Sequence, residues 1–210
     1  MRDIIISTKE DFIFKKKLYD EIEIKNVIKR DIDLFIFEEN ILIKEFDNIK
    51  KVKEITIEKI VKDEYGDESD ILIHYEYDKK KKKLYLYSMG NGSRVKKLSR
   101  YVNDIRVNPV QFYIKNIVEN KIKKLLNYII IFNLRDKVYS IYIKEGFIIK
   151  SFIKDKDKFI LDNELSNLDK DVAVVIGEEE KNMISQEVKS KLNIITFEIG
   201  EIINEKLFKI

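Results

Sequence analysis

A group of short strand-like segments followed by a helix occurs twice along this 210-residue chain, once from Asp3 and again from Tyr128. The first group comprises Asp3 to Ser7, Phe12 to Lys15 and a weaker alternating stretch around Ile22 and Ile24, with Lys9, Glu10 and Asp11 at the first turn. Short apolar or alternating runs bounded by polar turns read as strands. The second group comprises Tyr128 to Asn133, Val138 to Ile143 and Phe147 to Ile153, joined by Leu134 to Lys137 and by a tight Glu145-Gly146 turn. A two-residue turn ending in glycine suits a hairpin, because the backbone there needs positive φ. The repetition lies in the order of elements and not in the residues. With one proline and six glycines there is no Gly/Ser-rich or Pro-rich linker, so two lobes must be closely joined.

Between the two groups, Ile32 to Phe37 and Ile41 to Phe46 read as further strands. Asp47 is a plausible N-cap for a helix carrying Ile49, Val52, Ile55 and Ile60 that stops near Gly66. Ile71 to Tyr77 and Leu84 to Tyr87 pair as a hairpin, with Asp78 and five lysines between them. Ser93 caps a short helix facing inward through Val95, Leu98 and Tyr101 or Val102, and Ile105 and Val107 make a brief strand. The strongest helix signal follows. Asn108 is a good N-cap, Pro109 suits the first helical position, and Ile114, Val118, Ile122 and Leu126 recur every four residues. At the end of the chain, Val172 to Ile176 is a buried strand and Gly177 a turn. A helix with Ile184, Val188 and Leu192 on one face comes next, then a strand from Ile194 to Phe197. Glu178, Glu179 and Glu180 suit the positive end of a helix dipole, and Gly146 and Gly177 read as positions of positive φ.

Composition excludes more than it assigns. Apolar residues make up 44% of the chain, enough for a substantial core, while the charged 38% nearly cancel to +3. That balance favours neither a nucleic-acid-coating protein nor an acidic tail. With no cysteine there are no disulfides or thiolate centres, and one histidine leaves little for zinc. The longest apolar run, Tyr128 to Phe132, is far below the roughly 20 residues that cross a bilayer, so the chain is expected to be soluble and cytoplasmic. His74 has no second histidine and reads as a structural or surface imidazole. A ribonuclease-H-type nuclease would need carboxylates on its central strands to hold metal ions. Ile4 to Ile6 and Ile129 to Ile131 offer none, and Asp3, Asp11 and Asp136 fall only at strand edges or turns. No catalytic residue and no metal site are expected, and the chain is read as a non-enzyme.

Three segments, in order along nearly the whole chain, resemble the PilM and GspL families, the actin-like cytoplasmic proteins of type IV pilus and type II secretion machines. Ile41 to Phe46, the helix from Ile49 to Tyr65 and the hairpin from Asp70 to Tyr77 look like their inserted subdomain. Asn133 to Ile153 looks like the meander opening their second lobe, and Val174-Val175-Ile176-Gly177 through Ile194 like the unit that closes it. The resemblance implies an α/β, actin-like (ribonuclease H-like) two-lobed fold with an inserted α+β subdomain. The first lobe would span 1–127 with the insertion at about 41–107, and the second, compact lobe 128–210. It implies a non-catalytic scaffold at the inner face of the cytoplasmic membrane, linking inner-membrane assembly-platform proteins to a motor ATPase. The short stretch from Ile153 to Val172 favours the GspL side.

The phosphate-binding loops of nucleotide-binding relatives carry Asp and Gly, which let backbone N–H groups approach phosphate. The matching turns here read Ser7-Thr8-Lys9-Glu10-Asp11 and Asn133-Leu134-Arg135-Asp136-Lys137, without glycine, and Gly177 is followed by three glutamates that would repel a polyphosphate. Ser7, Thr8, Asn133 and Gly177 are therefore candidate remnants of a nucleotide site, and no cofactor is expected. A diverged ATP-binding protein is the alternative.

Lys79, Lys80, Lys81, Lys82 and Lys83, beside Tyr75, Tyr77, Tyr85 and Tyr87, suit a solvated hairpin tip, anionic lipid headgroups, or single-stranded nucleic acid. Nucleic acid is not the expected partner, since alternating tyrosines also make ordinary cross-strand pairs. The groove where the insertion meets the first lobe is the place where relatives of the PilM type receive an extended peptide. The strand edge Ile41 to Phe46 is the expected docking edge, unless it is covered within the domain.

Overall fold

The computed structural model describes residues 2–28, 30–66, 70–122, 125–166, 168–169 and 171–208. Its first sheet opens with β1 (Asp3–Ser7), β2 (Phe12–Phe14) and β3 (Lys17–Tyr19), followed by α1 (Glu21–Val27) and β4 (Ile32–Ile36). Next come β5 (Leu42–Phe46), α2 (Glu54–Tyr65), β6 (Leu72–Asp78), β7 (Lys83–Met89) and α3 (Gly92–Leu98). The chain then returns through β8 (Ile105–Pro109) and α4 (Val110–Lys121). The second sheet starts with β9 (Asn127–Leu134), β10 (Lys137–Lys144) and β11 (Phe147–Asp155). After α5 (Leu161–Leu165) follow β12 (Ala173–Ile176), α6 (Glu178–Asn182), α7 (Gln186–Lys189) and β13 (Asn193–Thr196). The last element, α8 (Ile199–Ile203), runs into a π-turn at Asn204–Phe208.

The strand orders β3-β2-β1-β4-β8 and β11-β10-β9-β12-β13 are one arrangement used twice: an antiparallel meander extended by two parallel strands. The third sheet, β5-β7-β6, is inserted between β4 and β8. Alternation along the central strands explains how both faces are filled. Ile5 packs with Ile24 of α1, Ile28 just beyond it and Leu98 of α3, while Ile6 points into the main core. In the same way Ile129 and Ile131 meet Leu165 and Val188, while Tyr128, Ile130 and Phe132 face inward. Strands buried on both faces read as continuous apolar runs, as these do. Val110, Ile114 and Val118 of α4 and Ile199, Ile203 and Leu207 near the C-terminus share the inner core with both sheets.

Several element ends differ from the sequence expectation, each for a local reason. Ile22 and Ile24 lie on a helix, because Asp20 accepts from the N–H groups of Ile22 and Glu23 while Glu23 accepts from that of Asp20, a full capping box. The third strand is the preceding Lys17–Tyr19. Asp47 caps nothing: α2 starts only after Lys53, since the hairpin holds Ile49 through its N–H to the Lys82 carbonyl and its carbonyl to the Tyr77 hydroxyl. Ser93 is inside α3, whose cap is Asn91, and its N–H donates to Asp70, whose pKa is lowered by the Ser93 hydroxyl and then by this N–H. Asn108 and Pro109 still belong to β8, and Pro109 is itself the cap of α4; an edge strand tolerates a residue without N–H. Helix α4 ends at Lys121, leaving Leu126 outside it and 67% exposed; residues 123–124 lie outside the described residues. The helix expected to start at Glu178 and to carry Ile184, Val188 and Leu192 is split into α6 and α7, Ser185 capping the second part. Gly146 has φ +86 as expected, but Gly177 does not, at φ −69; an added methyl there meets only the movable ends of the Glu180 and Glu198 side chains, so the backbone does not require glycine.

Candidate functional site

Ser7 and Thr8, at the end of β1, are both buried. The turn they open is held from behind by Arg94 of α3. Its guanidinium donates to the carbonyls of Thr8 at 2.5 Å, Lys9 at 3.1 Å and Glu10 at 3.3 Å, and stacks 4.3 Å from the Phe12 ring centre. Burial lowers the pKa of Arg94. Asn133 lies near the end of β9, lining a cavity of about 50 Å³ with Glu180 and Met183, and Gly177 begins α6 beside the Glu180 and Glu198 carboxylates. Asn133 and Gly177 thus share one neighbourhood. Among the described residues, no hydrogen bond or ion pair joins them to Ser7 or Thr8.

Between those two positions the lobes meet through aromatic side chains. Phe132 and Tyr139 are cross-strand partners whose rings stack at 4.8 Å, and the Tyr139 hydroxyl accepts from the Glu38 N–H at 3.1 Å across the lobe boundary. Tyr139 is only 1% exposed, and burial pushes its pKa up. Phe37 of the first lobe meets Phe208 at 6.2 Å, with the Arg135 guanidinium 5.9 Å over Phe208. The seam is a shared apolar core.

A cavity of about 520 Å³ lies elsewhere, where the inserted sheet meets the first lobe. It is lined by Leu72, His74, Glu76 and Met89 of β6 and β7 and by Val107 and Asn108 of β8, with Phe112 and Asn116 of α4. Strand β6 ends the order of the inserted sheet and β8 ends that of the first, so among the described residues neither outer edge has a strand partner. A groove bordered by two unpaired strand edges can hold an extended chain by main-chain hydrogen bonds. The edge expected from the sequence, β5, lies on the other side of the inserted sheet. Strand β5 comes against β11, where Asn40 accepts from the Ile153 N–H at 2.8 Å and Tyr85 stacks on Phe147 at 4.6 Å. Ile43 pairs with Tyr87 on the β7 side and packs on the main core, while β5, like β6, ends the order of its sheet.

His74 is one of the groove's side chains, and burial lowers its pKa. Sequence reasoning missed Glu76, Phe112 and Lys115. One signal was present: Lys115 sits on the apolar face of α4, with a side chain only 7% exposed, between Glu76 and Glu119. The lysine hairpin is partly committed. Lys81 pairs with Glu145 of the second lobe and Lys83 with Glu45 and Asp47, whereas Lys79, Lys80 and Lys82 make no ion pair among the described residues. No helix is long and apolar enough to cross a membrane among the described residues.

No family model matches the chain, and no curated protein matches its sequence. Solved structures do. A protein from Bacteroides thetaiotaomicron with an actin-like ATPase fold and unknown function covers 99% of this chain, and 94% of its own length is covered, with TM-score 0.57 and 9% identity. The chain has an actin-like fold. The PilM–PilN type IV pilus biogenesis complex matches with TM-score 0.52 and 8% identity over 84% of this chain and 74% of that one. The cytoplasmic domain of EpsL, an inner-membrane component of the type II secretion system of Vibrio cholerae, has TM-score 0.47 at 7% identity, covering 93% and 85%. Identities this low carry the actin-like fold alone. In its frame, the doubled sheets are the two lobes and the β5-β7-β6 sheet is the insertion.

Proposed function

We propose that this chain is a non-catalytic scaffold of a type IV pilus or type II secretion assembly platform, working at the cytoplasmic face of the inner membrane and linking membrane proteins to a motor ATPase. The observation that carries the reading is the groove between the β6 and β8 edges, which suits an extended peptide from a membrane partner in an actin-like chain. The PilM–PilN neighbour, itself a complex, points the same way. The non-catalytic part is supported by the glycine-free first turn, whose carbonyls Arg94 holds in place, and by the closed aromatic seam between the lobes. Lys79, Lys80 and Lys82 remain for anionic headgroups.

The test uses the cytoplasmic N-terminal peptide of a single-span membrane protein encoded beside this chain. Asn116 is exposed on the groove wall, so Asn116→Trp fills the cavity without disturbing the core. The peptide should bind the wild type and lose at least about tenfold in affinity on the variant, the loss expected when a binding pocket is blocked. Equal binding to both proteins places the partner elsewhere. In parallel, millimolar ATP with magnesium should leave the melting temperature unchanged. A saturable rise, which mass action requires of any ligand of the folded state, would establish the ATP-binding alternative.

A further inference from the structure

One wall of the groove is aromatic and carries a carboxylate that has not been fully used. His74 and Glu76 are two residues apart on β6, so they project from the same face. The His74 ring stacks on Tyr87 at 5.9 Å and meets Phe112 edge-on at 5.0 Å, while Tyr87 and Phe112 meet at 5.0 Å and 88°. The Tyr87 hydroxyl donates to Glu76 Oε2 at 2.8 Å. The other oxygen, Oε1, is 3.6 Å from Lys115 Nζ, beyond hydrogen-bond distance, and Lys115 is equally far from Glu119 Oε2. Glu119 also accepts from the Tyr128 hydroxyl at 3.0 Å. Two carboxylates thus share one ammonium, which leaves this side of the groove net negative. Because burial depresses its pKa, His74 is neutral near pH 7 and adds no positive charge.

An apolar residue seated here would desolvate the Glu76 carboxylate without compensating it, which is costly. A cation would complete its hydrogen bonding and rest against the ring wall. We propose that the groove selects a peptide with a lysine or arginine side chain at the position that meets Glu76 and the His74–Phe112 wall. This rests on the peptide-groove reading and adds the chemistry of the anchor. Segments on the cytoplasmic side of membrane spans are rich in such residues.

The probe is a phage-displayed random dodecapeptide library panned on the wild type, with Asn116→Trp as the counter-selection. Peptides lost on Asn116→Trp are groove ligands. Their shared feature should be a Lys or Arg, and a synthetic copy with that residue replaced by Gln should bind the wild type about tenfold more weakly, the scale of a desolvated charge pair. On Glu76→Gln, which keeps an acceptor for the Tyr87 hydroxyl, the charged and neutral peptides should bind alike. Groove ligands with no Lys or Arg preference, or a preference that survives Glu76→Gln, overturn the anchor while leaving the groove in place. If no recovered peptide depends on the open groove, the docking reading and its anchor both fall. The peptide-side substitution needs no protein variant, so a poorly folded Glu76→Gln does not obscure the result.

Discussion

Replacing Tyr139 with alanine should cost about 3–5 kcal/mol of stability, the usual range for deleting a buried aromatic side chain. The ring is 1% exposed and stacked on Phe132, and its hydroxyl takes the Glu38 N–H from the opposite lobe. The deletion therefore empties the seam and leaves a backbone donor unpaired. Tyr139→Phe keeps the ring and loses only the acceptor, at about 1 kcal/mol. Urea denaturation followed by circular dichroism measures both. The wild type should unfold in one transition, because the inner core runs unbroken from Ile6 and Phe35 of the first sheet to Tyr128 and Ile130 of the second. A loss in Tyr139→Ala no larger than that in Tyr139→Phe would mean that the seam contributes little to holding the lobes together.

The second large effect is expected at Arg94. Its guanidinium serves three carbonyls of the first turn, and hydrogen bonds to a charged group contribute about 1.5–3 kcal/mol. Arg94→Met should lower the melting temperature accordingly while the far-ultraviolet spectrum stays native. Arg94→Lys should recover little, because one ammonium cannot span three carbonyls as a planar fork does. Full stability in Arg94→Lys would reduce the contact to a simple charge effect.

What the sequence disclosed follows from where the information is local. The doubled meander was visible because Tyr128 to Phe132 and its neighbours are buried on both faces and turn at Glu145-Gly146, both local signals. Short polar signals were misplaced by competition. Asp47 looks like a cap, but the hairpin from Leu72 to Met89 claims Ile49 first. Ile22 and Ile24 alternate like a strand, but the Asp20–Glu23 box outweighs that pattern. At the candidate nucleotide loops, the absence of glycine was legible, whereas Arg94 was not, since 86 residues separate it from Thr8. The groove depends on which strands end their sheets, a property of topology and not of composition. The sequence points to β5 as a docking edge, and topology adds β6 and β8, which also end their sheets.

The position of the insertion also has a bearing on the order of folding. Strand β8 lies beside β4, Ile32 opposite Ile105, although the whole β5-β7-β6 sheet is synthesised between them. Closing so long a loop is entropically slow, whereas β6 and β7 are joined by a four-residue turn and pair at once. A folded insertion brings the ends of that loop together, so the third sheet acts as a splint for the first. Pulse-labelled hydrogen exchange during refolding should find β7 amides, around the fully buried Leu84 and Leu86, protected before those of β8. The reverse order would mean that the first lobe closes on an unfolded insertion, and that the groove is the last part of the molecule to take shape.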